Sequence, residues 1–180
     1  MIRLLDIIIS LFILFVLLPL LLLIFLIGFL DTGSPLYFQK RVGLHLKSFT
    51  LIKFRTMKIG TLSFGTHLIC SSNITYFGYW LRRFKLDEIP QLYNVLIGEM
   101  SLVGPRPCLF NQRKLVFERK KRAVFKVRPG ITGLAQVKGI DMATPILLSK
   151  IDSEMIKQMN LINYFYYIFV TILFIFKKKL

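Results

Sequence analysis

The stretch Phe15–Phe25, "FVLLPLLLLIF", decides the fold, because whether it runs straight or turns at Pro19 fixes where the rest of the chain lies. It is the middle of an uncharged run from Ile7 to Leu30, bounded by Asp6 and Asp31. As one straight helix the run covers roughly 36 Å, enough to cross a hydrocarbon core of about 30 Å. It is therefore read as membrane-embedded. A cleaved signal peptide is disfavoured, since only Arg3 stands against Asp6 before the run and no small-x-small site follows it. Pro19 removes one backbone hydrogen bond and crowds the preceding turn, which predicts a kink at mid-depth. Arg3 precedes the run, whereas Lys40, Arg41, Lys47, Lys53, Arg55 and Lys58 follow it, so the positive-inside bias keeps the larger segment cytoplasmic. On these residues alone a plain span and a helix bent back at Pro19 are both open, and the plain span is the more usual outcome.

The remainder of the 180 residues is long enough for one packed domain. Hydrophobic residues make up 54% of the chain and the formal charge is +16. That pairing is odd for a soluble enzyme and suits a protein facing anionic lipid, phosphate or nucleic acid at a membrane. Cys70, Cys108, His45 and His67 do not have the spacing of a zinc set, and reduced cytosolic thiols are expected.

Short alternating patterns over Ser34–Gln39 and Phe49–Phe54, with Gly43 between them, predict a β-hairpin. Ile59 to Asn73 is rich in Gly, Ser and Thr and reads as a loop. Helices are predicted over Tyr76–Phe84, Glu88–Ile97, a basic Arg113–Val127 and Ile146–Met159. Leu161–Phe176, "LINYFYYIFVTILFIF", followed by Lys177-Lys178-Lys179, is either an interfacial helix with a basic end or a buried helix of the domain. The expected fold class is α+β and helix-rich, with a short β-hairpin. Residues 1–33 are expected to form the membrane segment and residues 34–180 a cytoplasmic domain.

The chemistry centres on "FKLDEIPQLYN", Phe84–Asn94, where Asp87 and Glu88 adjoin in an acid-poor chain. Asp87 as the N-cap of a helix starting at Glu88, with Pro90 in its first turn, is one reading. The other is that adjacent carboxylates among basic side chains hold a divalent cation or attack an electrophile. In "SLVGPRPCL", Arg106 stands between Pro105 and Pro107, stiffened for gripping a phosphate. "VRPGITG" adds Arg128, with Gly130 and Gly133 permitting close backbone approach to a ligand, and "LIKFRTM" adds Lys53 and Arg55 on one strand face.

Taken together, "SPLYFQKRVG", "FTLIKFRTM", "LRRFKLDEIPQLYNVLIGEMSLVGPRP" and "VRPGITGLAQV", in that order after a Pro-containing hydrophobic segment, closely resemble the bacterial sugar transferase family, the monotopic phosphoglycosyl transferases. The resemblance covers nearly the whole chain. It implies transfer of a sugar 1-phosphate from a UDP-sugar to polyprenyl (undecaprenyl) phosphate, with release of UMP, as the first membrane step of glycan assembly. It implies Asp87 as nucleophile through a covalent intermediate, Glu88 as the ligand of Mg²⁺, Arg106 as a phosphate-binding residue, and Lys53 and Arg128 as further substrate contacts. It implies an N-terminal helix that breaks at Pro19 and re-enters, a location at the inner membrane with the catalytic domain on the cytoplasmic face, and membrane lipid rather than nucleic acid as partner. The family's break is a Ser-Pro pair, and here Leu18 replaces the serine. Relatives also carry an arginine where this chain reads Gly139-Ile140-Asp141, and a Tyr and an Asp where Met155 and Tyr164 align. A non-enzymatic basic membrane protein binding anionic lipid or nucleic acid is the alternative; it leaves the order and spacing of the motifs without a cause.

Overall fold

The computed structural model describes residues 1–61 and 73–177, and side chains as far as residue 174. Most of the loop expected over Ile59–Asn73, including Cys70 and His67, lies outside the described residues, as do Lys178 and Lys179.

The first helix, α1 (Ile2–Thr32), ends at Gly33, which takes the left-handed conformation at φ 71° and donates its N–H to the Phe29 carbonyl. Glycine fits that position because it carries no Cβ to clash there. The break expected at Pro19 does not appear as a gap, because helical backbone continues through it from Ile2 to Thr32. A proline deletes one rung of the ladder, and the long apolar runs on either side keep the rest. The buried residues of α1 are Asp6, Ser10, Ile24 and Gly28. Asp6 and Ile24 are about five helical turns apart, so they lie on one stripe, and both ends of that stripe face the same folded body. The opposite face, including Phe12, Phe15, Leu22, Leu26 and Leu30, is exposed.

The hairpin forms as expected. Strands β1 (Leu36–Val42) and β2 (Ser48–Phe54) pair antiparallel, with Leu36 opposite Phe54 and Val42 opposite Ser48. Phe49 and Leu51 point into the main core with Leu92, Val95, Met100 and Leu102, and the N-terminal half of α1 packs on that cluster through Leu5, Ile9 and Ile13. A second cluster joins Ile24 and Leu21 of α1 to Phe54, Leu81, Phe77 and Leu86.

Helix α2 (Tyr76–Arg83) is capped by Thr75, whose hydroxyl accepts from Gly78 N. Next comes a 3₁₀ turn, Leu86–Glu88, and only then α3 (Gln91–Leu96), so the helix expected from Glu88 starts three residues late. Asp87 lies inside the 3₁₀ turn and does not cap a helix. Lys85, at φ 58°, turns the chain into it. The basic helix expected to Val127 stops earlier, as α4 (Arg113–Lys121), because Ala123 adopts φ 57° and a 3₁₀ turn follows at Val124–Lys126.

Two three-residue strands escaped the sequence reading. β3 (Ser101–Val103) and β4 (Gly130–Thr132) pair parallel, Ser101 with Gly130 and Val103 with Thr132. The close approach expected of Gly130 is real, but it is made to the protein's own backbone. A Cβ there would sit 2.0 Å from Gly104 N. Helices α5 (Leu134–Val137), α6 (Pro145–Lys157) and α7 (Leu161–Lys177) complete the described chain.

The last helix has one buried face and one exposed face. Tyr164, Tyr167 and Thr171 turn inward, whereas Ile162, Phe165, Tyr166, Phe169 and Leu173 form an exposed apolar stripe. Met155 and Tyr164 are both buried in the core.

Candidate active site

Four of the residues singled out in the sequence meet at one place. Lys53, at the end of β2, lies 3.0 Å from Glu88 Oε1, and Arg106 Nη2 lies 2.7 Å from the same oxygen. Two cations on one carboxylate oxygen make Glu88 the electrostatic centre of the cluster. Burial alone would push Glu88 up, but Arg106 first and then Lys53 and Lys85 hold its carboxyl well below the usual carboxylate range. Glu88 in turn raises the Arg106 guanidinium, whereas burial lowers the Lys53 ammonium. About a third of the Arg106 side chain, 35%, stays open, so an anion can still reach it.

Asp87 has the opposite environment. It is buried, its Oδ1 has no hydrogen-bond partner among the described residues, and burial followed by the charge of Glu88 pushes its carboxyl up against the pull of Lys53, Lys85 and Arg82. Adjacent carboxylates whose surroundings drive their proton affinities apart are suited to different tasks. Glu88 is held by two cations, and Asp87 keeps a poorly solvated oxygen.

The remaining predicted residues are placed elsewhere. Arg128 Nε donates to the Gly98 carbonyl at 2.7 Å, just past α3, and Arg3 donates to Leu96 O at its end, so both serve backbone carbonyls rather than the carboxylates. Arg55, the residue just after β2, donates to Ser34 O and Leu36 O and lies over Tyr37, the residue that pairs with Lys53 across the hairpin. Arg83 lies over Trp80, and Arg82 donates to Thr56 Oγ1 while its charge still reaches Asp87.

Asn94, fully buried on α3, was missed in the sequence. Its Oδ1 accepts from Ile52 N at 3.1 Å, and its Nδ2 donates to Thr50 O at 2.8 Å and Glu99 Oε2 at 2.7 Å. The side-chain amide thus pairs with the free edge of β2 as another strand would. That bond fixes α3 against β2, and with it the turn bearing Glu88 against Lys53. A polar residue on the helix face that carries Val95 was the one sequence signal.

Among the described residues no group of three or more His, Cys, Asp or Glu side chains forms a metal cage. Two neighbouring carboxylates, one with a buried unpartnered oxygen, do fit a hard cation of the kind that takes one or two carboxylates and completes its shell with water and phosphate oxygens.

Leu86, next to Asp87, packs against the cluster of Ile24, Phe54 and Leu81, against which Leu21 of α1 also packs.

Comparison with known proteins gives the same direction. The profile of the family described as bacterial sugar transferase matches residues 1–178. The chain is 44% identical over 138 residues to the uncharacterized sugar transferase EpsL of Bacillus subtilis (strain 168), covering 76% of this chain and 68% of that protein. It is 33% identical over 166 residues to the exopolysaccharide production protein ExoY of Rhizobium meliloti (strain 1021), covering 82% and 72% respectively. It is 41% identical over 126 residues to the UDP-glucose:undecaprenyl-phosphate glucose-1-phosphate transferase of Xanthomonas campestris pv. campestris, covering 66% of this chain and only 26% of that longer protein.

Proposed function

The chain belongs to the bacterial sugar transferase family, and from that premise we propose that it moves a sugar 1-phosphate from a UDP-sugar to polyprenyl phosphate at the cytoplasmic face of the inner membrane. The observation that carries this reading is the pairing of Glu88, gripped by Lys53 and Arg106, with an unpartnered Asp87 oxygen.

Asp87 attacks the β-phosphorus of the donor. An Asp87 Oδ–P bond forms, the bridging P–O bond to the α-phosphate breaks, and UMP leaves with the bond's electron pair. A phosphate oxygen of the polyprenyl acceptor then attacks the same phosphorus, Asp87 leaves as carboxylate, and a sugar pyrophosphoryl lipid results. Splitting the transfer in two predicts ping-pong kinetics. Phosphoryl transfer depends mostly on alignment and charge stabilisation. The open part of Arg106 and the ammonium of Lys53 supply both to the diphosphate. Asp87 and Glu88 are the residues that would hold Mg²⁺, which when bound neutralises diphosphate charge.

Membrane association follows from α1, which is long and apolar enough to cross a bilayer. A re-entrant rather than spanning path is supported by where the start of α1 is tied. Arg3 donates to Leu96 O, and Asp6 Oδ1 accepts from Leu102 N at 3.0 Å and Tyr164 Oη at 2.8 Å. With Ile24 clustered with Phe54 and Leu81 further along, both halves of the helix are held by the same body. The exposed apolar stripe of α7 extends the lipid-facing surface.

The test is to incubate purified protein with Mg²⁺, undecaprenyl phosphate and a panel of UDP-sugars and to measure UMP. Release by the wild type and none by Asp87→Asn is expected. Unchanged release by Asp87→Asn, or none from any donor, overturns the reading.

A further inference from the structure

The ledge Pro105-Arg106-Pro107-Cys108 is held almost wholly through its carbonyls, since its two prolines have no N–H to donate. Pro105 O accepts from Gly130 N at 2.9 Å, and Cys108 O from Val42 N at 2.9 Å. Pro107 O accepts from Arg41 Nη1 at 3.0 Å, and Arg106 O from Arg119 Nη1 at 2.7 Å. Four consecutive carbonyls are thus engaged by β4, β1 and α4. Their common result is the direction of one side chain, that of Arg106 toward Glu88.

Of these donors Arg119 is the least expected. It sits in the basic run "RKLVFERKK" yet is 1% exposed. Its Nε lies 2.9 Å and its Nη2 2.7 Å from Asp152 Oδ2, and Asp152, on α6, is also 1% exposed. A buried ion pair is poor value for stability alone, because apolar replacements of similar volume do as well or better. This pair does something an apolar pair cannot: Asp152 takes one edge of the guanidinium and leaves Nη1 aimed at the Arg106 carbonyl.

We propose that Arg119 and Asp152 are positioning residues for the transfer reaction, acting on the donor's phosphates only through Arg106. The inference rests on the transferase reading above. Neither residue touches the carboxylates, so their effect travels through the ledge backbone, and displacements of that kind far from the chemistry can cost on the order of 100-fold in rate.

The experiment is a double-mutant cycle in which Arg119→Met with Asp152→Leu is made in the wild-type and Arg106→Ala backgrounds. The apolar pair is expected to keep or raise the thermal midpoint while lowering kcat/KM by roughly 10- to 100-fold in the wild-type background. In the Arg106→Ala background the same pair should lower it by less than about 3-fold, since residues acting as a unit are non-additive. Full activity in the folded pair variant, or an equal loss in both backgrounds, overturns the proposal. Should the apolar pair fail to fold, Arg119→Lys, which keeps the charge but cannot serve both acceptors, is read in the same cycle with the same two outcomes. The ¹⁵Nε–H signal of Arg106 in lipid nanodiscs needs no turnover. One ordered signal is expected in the wild type and an averaged one in the pair variant, and no change between them overturns the proposal. Failure of the transferase reading is separately visible, as a wild type that releases no UMP.

Discussion

Glu88 takes two cations on a single oxygen, and its neighbour Asp87 keeps a buried oxygen that no donor among the described residues reaches. One peptide bond separates a carboxylate that is tied down from one that is free, and each consequence can be measured.

Asp87 is costly to the fold in its charged form. Burial and Glu88 raise its folded pKa above the unfolded value, so ionisation favours the unfolded chain once the pH exceeds the unfolded value near 3.8. Asp87→Asn should therefore abolish UMP release and raise the thermal midpoint at pH 7. The gain should grow as pH rises from about 4 through the raised pKa and then level off. A midpoint unchanged or lower at pH 7 contradicts the assignment.

Glu88 has the reverse sign. Its folded pKa lies well below 4.5, so its contribution is complete above that pH and is lost as the solution is acidified through the folded value. Glu88→Gln should cost about 2 kcal/mol in chemical denaturation at pH 7. That is less than the 3–5 kcal/mol for breaking a fully buried pair, because the Arg106 side chain is a third open. The variant's stability should also vary less with pH below 4.5.

Asn94→Leu should cost about 2–3 kcal/mol, since it leaves Ile52 N and Thr50 O on the β2 edge without partners. Activity should fall with it, because the turn bearing Glu88 is no longer fixed against Lys53. Denaturation together with UMP release at a temperature where the variant is folded separates the two losses.

Gly130→Ala should be among the most damaging small changes. A Cβ 2.0 Å from Gly104 N forces β3 and β4 apart and moves the Arg106 ledge, at the upper end of the overpacking range, about 3 kcal/mol. Gly139→Ala meets nothing within 4 Å and carries only the strain of φ 67°, about 1 kcal/mol. Thermal scans of the two variants side by side check the contrast.

The path of α1 is open to chemical labelling. Ile2→Cys should react with a membrane-impermeant thiol reagent only after the cytoplasmic face is exposed, because Arg3 and Asp6 hold the start of the helix to the body. Reaction in intact cells contradicts re-entry.

What could be read in advance was periodic or local. The hairpin and the helices at Tyr76, Ile146 and Leu161 carry their patterns within about a dozen residues, and the motif residues Asp87, Glu88, Lys53 and Arg106 do meet. β3 and β4 have three residues each, and their partner lies some thirty positions away, so no local alternation marks them. Arg128 beside Pro129 and Gly130 looks like an anion grip in one dimension, but the fold turns it to the Gly98 carbonyl. Arg119 was hidden among its basic neighbours, although its place one turn after the buried Leu115 was a sign that it faces inward.

Leu86 and Leu21 pack against one cluster, Ile24, Phe54 and Leu81, and so link the proposed nucleophile's turn to the apolar helix itself. Under the proposed re-entrant placement, Asp87 sits at a set height above the hydrocarbon rather than merely somewhere on a protein that binds membranes. Anything that lifts or tilts α1 shifts the carboxylate with it, toward or away from the plane where lipid phosphates lie. On that placement bilayer thickness becomes a variable of the proposed reaction, acting on the enzyme as a change in reach.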